Sequence, residues 1–323
     1  MTRRLLPAVL AITLLGAACT GDEGSTTPSS DATAGALDAS TYSAEVASSD
    51  LAVDSPEAVQ LGVFSSTADG GVQLLSFGEV NVTFSYLGAD GSQEPSAGPA
   101  TSATYIPAPT TAADGGGPTL TDPADARGVY QTPDLTFPQA GLWNATVTAD
   151  VNGGGVTLDA AFTVYPKHRI PAPGDEALAT KNLTLDSKAP AVAIDSRAQD
   201  GAKVPDPELH QTTIAAAARE GRPALVQFAT PVYCLSRFCG PTVEAQEELA
   251  SEYRGVAEFI HVEIWRDYEE SVVNQAAADW LLRGQDLTEP WLYLIGSDGI
   301  IVDRWGPLFD LDDVRSSLED LRA

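Results

Sequence analysis

Residues 143–164 constrain the fold of this chain more than any other stretch. Trp143, Ala145, Val147, Ala149 and Val151 alternate with Asn144, Thr146, Thr148 and Asp150, the period of a strand with one face in a core. Val156, Leu158, Ala160, Phe162 and Val164 repeat the pattern on the way back. Between them Asn152-Gly153-Gly154-Gly155 supplies residues that accept positive φ, so the spacing predicts an antiparallel hairpin. Val80, Val82, Phe84 and Tyr86 alternate in the same way. Further strands are expected near 59–65, 72–77, 102–106 and 128–132, separated by clusters rich in Gly, Pro and Asp. About seven short strands with such punctuation indicate an all-β sandwich over residues 46–165. That region contains neither Cys nor His, so thiol chemistry is excluded from it. Asp114 and the Asp122/Asp125 pair offer carboxylates of the kind calcium takes, but solvated acidic loops account for them as well.

Pro138-Gln139-Ala140-Gly141-Leu142-Trp143, leading into an alternating strand, resembles the last strands of the immunoglobulin-like modules of bacterial envelope proteins. The resemblance implies an immunoglobulin-like sandwich for this first region.

The amino terminus reads as an address. Met1-Thr2-Arg3-Arg4 is cationic, residues 5–15 are apolar, and Gly16-Ala17-Ala18-Cys19 follows. The apolar run is too short to span a bilayer and has the form of a signal-peptide core with a small-residue cleavage site. It resembles a bacterial lipoprotein signal. The resemblance implies removal of residues 1–18, acylation of Cys19, and attachment to the outer face of the cytoplasmic membrane; two or more acyl chains hold stably where one is marginal. Gly16 stands where that signal usually has Leu. Residues 19–45 are rich in Ser, Thr, Gly, Asp and Ala, a composition suited to a flexible tether.

The 323-residue chain has 45 acidic and 18 basic residues, a formal charge of −27. No Lys or Arg occurs between Arg4 and Arg127. Such a surface repels phosphate backbones, which excludes nucleic acid as a partner. Three Cys, three His and one Met leave too few ligands for a four-ligand zinc cage or a Met-rich copper site, so neither a metal nor another cofactor is expected.

Residues 166–207, with Pro166, Pro171, Pro173, Pro190, Pro205 and Pro207, lack helical periodicity and read as a linker. The pattern then changes. Thr213 can cap a short helix over 214–220, closed by Gly221. Ala224 to Thr230 is an apolar run of strand length. A helix is predicted over 242–254, a strand over 257–265, a helix over 272–282, and a strand hairpin over 291–305 turning at Gly296-Ser297-Asp298-Gly299. Asp310 caps a last helix with Leu311, Val314, Leu318 and Leu321 on one face. From the first of these strands the order is β-α-β-α-β-β-α.

Four features of residues 208–323 resemble the thioredoxin fold. An apolar strand leads through Cys234-Leu235-Ser236-Arg237-Phe238-Cys239-Gly240-Pro241 to a helix; Glu289-Pro290-Trp291 opens a strand; a hairpin follows; Gly306-Pro307 precedes the last helix. The resemblance implies an α/β thioredoxin-like domain, with Pro290 as a cis-proline bordering the groove where a partner docks. With Cys19 acylated, Cys234 and Cys239 are the remaining thiols, and an exported compartment favours their pairing. Pro241 suits the first turn of a helix, which places Cys239 just outside the helix N-terminus, where orphan N–H groups stabilise a thiolate. Arg237 adds a nearby positive charge. The fit departs from thioredoxin in having four residues between the cysteines. Thr242 stands where the second cysteine would follow Cys239-Gly240-Pro241, and Gln227 occupies the strand position of the family's buried acid. Either cysteine can be the nucleophile on this reading.

The sequence thus implies a mixed fold, an all-β immunoglobulin-like sandwich followed by an α/β thioredoxin-like domain. The expected chemistry is thiol–disulfide exchange with exported thiol or disulfide proteins. A structural disulfide in a non-catalytic binding or scaffold protein is the alternative. A thiol peroxidase is a lesser one, suggested by Pro231, Ser236 and Cys239 with one residue too many between Pro and Ser. Copper delivery would require His261, which lies in a predicted strand and reads as a core histidine.

Overall fold

Alternating burial organises the larger part of the molecule. In the computed structural model, residues 39–109, 111–112, 115–151 and 153–322 are described. The expected signal peptide, Cys19 and most of the tether lie outside them, as do Asp114 and Asn152. Strands β1 (Tyr42–Val46), β2 (Glu57–Ser66), β3 (Val72–Ser76), β4 (Glu79–Gly88), β5 (Ser96–Pro107), β6 (Thr119–Thr121), β7 (Gly128–Leu135), β8 (Gly141–Val151) and β9 (Gly154–Val164) form one antiparallel sheet. Its order is β6-β3-β2-β7-β5-β4-β8-β9, with β1 added on β2. Because β1 also packs beside β9, the sheet rolls over into a sandwich-like body. Its buried face closes on an aromatic cluster in which Phe84, Phe137, Trp143 and Phe162 meet edge-on, the arrangement favoured by ring quadrupoles.

The predicted hairpin is β8 and β9, in register from Gly141↔Val164 to Val151↔Gly154. The turn is tighter than the four-residue expectation, since Gly154 and Gly155 already belong to β9. Gly153 adopts φ +83°, and its N–H donates to Asp150 Oδ1 at 2.8 Å. The strands β1 and β6 have no counterpart among the strands expected from the sequence. A three-residue edge strand and a five-residue strand carry too little alternation to be seen.

After the large sheet, β10 (Ala224–Ala229), β11 (Glu258–Glu263), β14 (Trp291–Ile295) and β15 (Ile301–Trp305) form a second sheet in the order β11-β10-β14-β15. A small ribbon pairs β12 (Trp265–Asp267) with β13 (Val272–Val273). The helices are α1 (Ile214–Arg219), α2 (Cys239–Glu252), α3 (Gln275–Leu281) and α4 (Leu311–Asp320). Caps set two of their starts: Thr213 accepts from Ala216 N–H at 3.1 Å and Asp310 from Asp312 N–H at 2.9 Å, each filling an orphan donor of a first turn.

The expected fold class is corrected. Strand accounts for 40% of the described residues and helix for 17%, with four α-helices among them. The first part is one continuous nine-stranded antiparallel sheet, whereas the expected immunoglobulin-like sandwich has two sheets. The second sheet is mixed: β10 runs parallel to β11 but antiparallel to β14, and β14 antiparallel to β15. This mostly β architecture does not fit an α/β thioredoxin domain. Two physical reasons stand out. Helical periodicity overstated helix length: the stretch expected as a helix over 272–282 begins as β13 and becomes helical at Gln275. Sheet class also depends on which strands pair, a long-range property that local order does not carry.

Residues 166–207, read as a linker, have a buried side. Ile170, Ala172, Ala177, Ala193, Ile194 and Ala198 are buried. Asn274 Nδ2 donates to the carbonyls of Ala193 and Glu263 at 2.9 and 2.8 Å, which fastens this segment to the end of β11. The described residues belong to one compact unit. Two polar contacts join the sheets. Buried Arg304 on β15 donates to Asp50 Oδ2 at 2.8 Å and also to Glu57. Gln60 on β2 and the backbone of Leu308 exchange hydrogen bonds of 2.6 and 3.2 Å.

Candidate active site

β10 is buried along its whole length and ends against the loop that carries the cysteines. Its Gln227 donates through Nε2 to Thr242 Oγ1 at 2.7 Å, and that hydroxyl donates to the Cys239 carbonyl at 3.1 Å. Thr242, singled out for replacing a cysteine, therefore ties the first turn of α2 to the strand. Pro241 lies in that first turn. Cys239 is the first residue of α2, not a residue outside it, and Phe238 is the cap. A phenyl ring cannot accept the orphan N–H groups. The sulfur of Cys234 takes the place of a capping oxygen, 3.4 Å from the Cys239 N–H.

Cys234 and Cys239 form a disulfide with Cα atoms 6.0 Å apart, inside the range such a bridge requires. The two ends differ. Cys239 is fully buried, whereas Cys234 is half-buried and followed by Leu235, which is 94% exposed. Arg237 supports the loop through its backbone. It adopts φ +61°, and its carbonyl accepts from Nη1 of Arg127, the residue before β7, at 3.0 Å. Its side chain is exposed. Phe238 and Leu308 pack with Ile106, Ala108 and Val129 of the large sheet. Gly240 leaves room for a Cβ at ordinary contact distance from Pro231, so packing there does not require glycine.

Pro290 follows a cis peptide bond from Glu289 and is buried. It lines a groove of about 900 Å³ together with Leu235, Phe238 and Trp291, and with Phe64 and Leu74 of the large sheet. Glu289 is the site residue that sequence reasoning missed. One of its carboxylate oxygens lies within 4.8 Å of the sulfurs, and Oε2 is buried without a hydrogen-bond partner. Burial, with a smaller push from the charge of Glu263, raises its carboxyl to about 8. The signal was its place beside Pro290 in Glu289-Pro290-Trp291, but a single Glu at the start of a strand carries no sign of burial.

A second polar cluster lies under the cysteine loop. Asp195 Oδ2 stands 3.5 Å from His210 Nε2 and 3.4 Å from His261 Nδ1, with all three residues fully buried. His261 Nε2 faces the Ala229 carbonyl at 3.1 Å. Burial pushes the Asp195 carboxyl up, but His210, His261 and Arg197 outweigh it and hold it well below the usual carboxylate range. Burial pushes His210 down from its ordinary value, against the pull of Asp195. Two imidazoles and a carboxylate are a donor set that can hold a metal. Here Arg197 already forks onto both oxygens of that carboxylate, with its Nη2 2.7 Å from Oδ2, so the charge is met from within the protein. His261 thus sits in the core beneath the site, as a strand histidine should. Glu263 accepts from Ser196 and Trp265 N–H groups at 2.8 and 3.1 Å, and burial raises it as well.

A search of protein-family models finds no match to this chain, and a search of curated proteins finds no relative.

Proposed function

We propose that this chain exchanges disulfides with exported proteins through Cys234 and Cys239, held at the outer face of the cytoplasmic membrane by an acylated Cys19. The observation that carries the reading is the asymmetry of the bridge. One sulfur is reachable and stands at a helix N-terminus; the other is sealed behind it. A thiolate at Cys234 gains from the Cys239 N–H and the positive end of α2. It attacks one sulfur of a partner disulfide, and the partner's other sulfur leaves as a thiolate. Cys239 then attacks Cys234 Sγ, closes the internal bridge and releases the second partner thiolate. Two electrons pass from the dithiol to the partner, and the sequence runs in reverse from the oxidised form. The groove beside Leu235, Phe238 and Pro290 is where the partner's cysteine segment would lie. The large sheet contributes one wall of that groove.

A reduction-potential titration of the full chain tests the reading. A potential above about −300 mV supports turnover, and one well below that value makes the bridge a structural staple. Trapping separates the two sulfurs. Cys239→Ser is expected to hold partners as a stable mixed disulfide at Cys234, whereas Cys234→Ser traps none. Labelling with a palmitate analogue, abolished by Cys19→Ser, tests the anchor.

A further inference from the structure

The exchange reaction contains a step in which the inner sulfur needs a proton acceptor. Cys239 must lose a proton before it attacks, and its side chain is fully buried. Gln227 occupies the strand beneath it and has no ionisable group. Its Nε2 donates to Thr242, and its unpartnered Oε1 is an amide oxygen that takes no proton at neutral pH. Cys234, once bound to a partner, has no proton to exchange. The side chain that reaches both sulfurs from the opposite wall is Glu289, with a carboxylate oxygen within 4.8 Å of each and a buried Oε2 that meets no other donor.

We infer that Glu289 is a catalytic residue, the proton carrier for the buried half of the cysteine pair. The inference rests on the disulfide exchange proposed for that pair. In the oxidising direction the Glu289 carboxylate takes the proton from the Cys239 thiol. The resulting thiolate forms the S–S bond to Cys234 and breaks the bond from Cys234 to the partner. The protonated carboxyl then gives its proton to the departing partner thiolate, or to solvent where that thiolate is too weak a base to take it. Protons and electrons balance without a further reactant.

The surroundings suit the task. A carboxyl that titrates at about 8 is close to a thiol in proton affinity, and proton transfer is most effective between matched groups near the working pH. Glu263, at the end of β11, is the charged neighbour that adds to the effect of burial; the cysteines themselves face Glu289 from the loop and from α2. Pro290, itself buried, holds the backbone immediately after it, and β14 begins at the next residue, so the half-buried carboxyl is presented from a fixed position.

The test is rapid mixing of the reduced full chain with the aromatic disulfide dithiobis(nitrobenzoate). The first coloured thiolate reports attack by Cys234, and the second reports resolution by Cys239. Glu289→Gln is expected to leave the first phase within about twofold and to slow the second by about a hundredfold, the lower end of general acid–base contributions. The wild-type second phase should show an inflection near pH 8 that Glu289→Gln lacks and Glu289→Asp partly restores. A Glu289→Gln protein that resolves at the wild-type rate, with the same pH profile, overturns the inference while leaving the exchange reading intact. A wild-type protein that shows neither phase overturns both. If Glu289→Gln fails to fold, the Glu289→Asp profile decides: an unchanged rate and unchanged inflection refute the assignment.

Discussion

The two sheets of this protein are built from different materials. The large sheet buries an alternating apolar face closed by Phe84, Phe137, Trp143 and Phe162. Its residues from 46 to 165 carry no Cys and no His. The smaller sheet buries strands on both faces, and around it lie Asp195, His210, His261, Glu263 and Glu289. The first is an apolar framework. The second accepts the cost of burying ionisable groups, which natural proteins tolerate chiefly where those groups are paired or used. The contrast teaches that chemistry sits where burial and charge coincide, and that the apolar sheet contributes by holding the cysteine loop through Arg127, Ile106 and Val129.

Truncation of the apolar framework should have the largest effect. Trp143→Ala removes a fully buried ring at the centre of the aromatic cluster and is expected to cost about 3–5 kcal/mol, read as a shift in the denaturant midpoint. If the cysteine site depends on the large sheet as its contacts indicate, the same variant loses the protection of its disulfide against reductant. A site that keeps its protection after the large sheet melts would show that the cysteine loop does not depend on that sheet.

The joint between the sheets comes next. Arg304→Met leaves Asp50 and Glu57 without their guanidinium. Burial raises the Asp50 carboxyl, and His168 and Arg304 outweigh it to hold it below its ordinary value. Removing one partner of such a buried pair costs about 3–5 kcal/mol. The expected outcome is two calorimetric transitions in place of one, as the sheets lose their coupling.

The pH dependence separates the two kinds of buried acid. The depressed carboxyls of Asp50 and Asp195 stabilise the fold above their unfolded value of 3.8, and that contribution is lost as pH falls below it. Glu289 acts with the opposite sign. Its raised value means that between its unfolded value of 4.5 and about 8 the unfolded chain has already released a proton that the folded chain retains, so stability falls as pH rises through that window. Glu289→Gln should therefore gain on the wild-type oxidised protein by a few kcal/mol on going from pH 4.5 to pH 8, with no further gain above. Parallel stability curves would show that the carboxyl is not held in its protonated form.

Arg127→Ala should have the smallest effect. It removes the exposed hydrogen bond to the Arg237 carbonyl and a part-buried one to the Pro123 carbonyl, and is expected to cost about 1–2 kcal/mol. Its use is kinetic. A loosened cysteine loop should be reduced several-fold faster at a small cost in stability, which distinguishes the large sheet as a brace for the site from the large sheet as a mere neighbour.

The sequence made some parts of this legible for a definite reason. Period-two alternation exposes a strand wherever one face is buried and the other wet, so β4, β8 and β9 could be read residue by residue. Pro241 marked a first helical turn, although α2 begins at Cys239 and not at the expected residue 242, and the pairing of Cys234 with Cys239 was visible from the count of thiols. The mixed sheet was harder. Its strands β10, β11 and β14 are almost wholly buried and read largely as apolar runs, which local reasoning orders but cannot pair.

Local commitments are written in the chain: the hairpin of β8 and β9, the caps at Thr213 and Asp310, and two cysteines five positions apart near a helix start. Long-range packing set the rest: the nine strands form one rolled sheet, the second sheet is mixed, and Cys234 is the more exposed cysteine. It alone brought Glu289 to that bridge and closed Asp195 between His210 and His261, residues up to 66 positions apart in the chain. Burial and charge environment arise from segments remote in sequence, and no local pattern encodes how much water a side chain will lose.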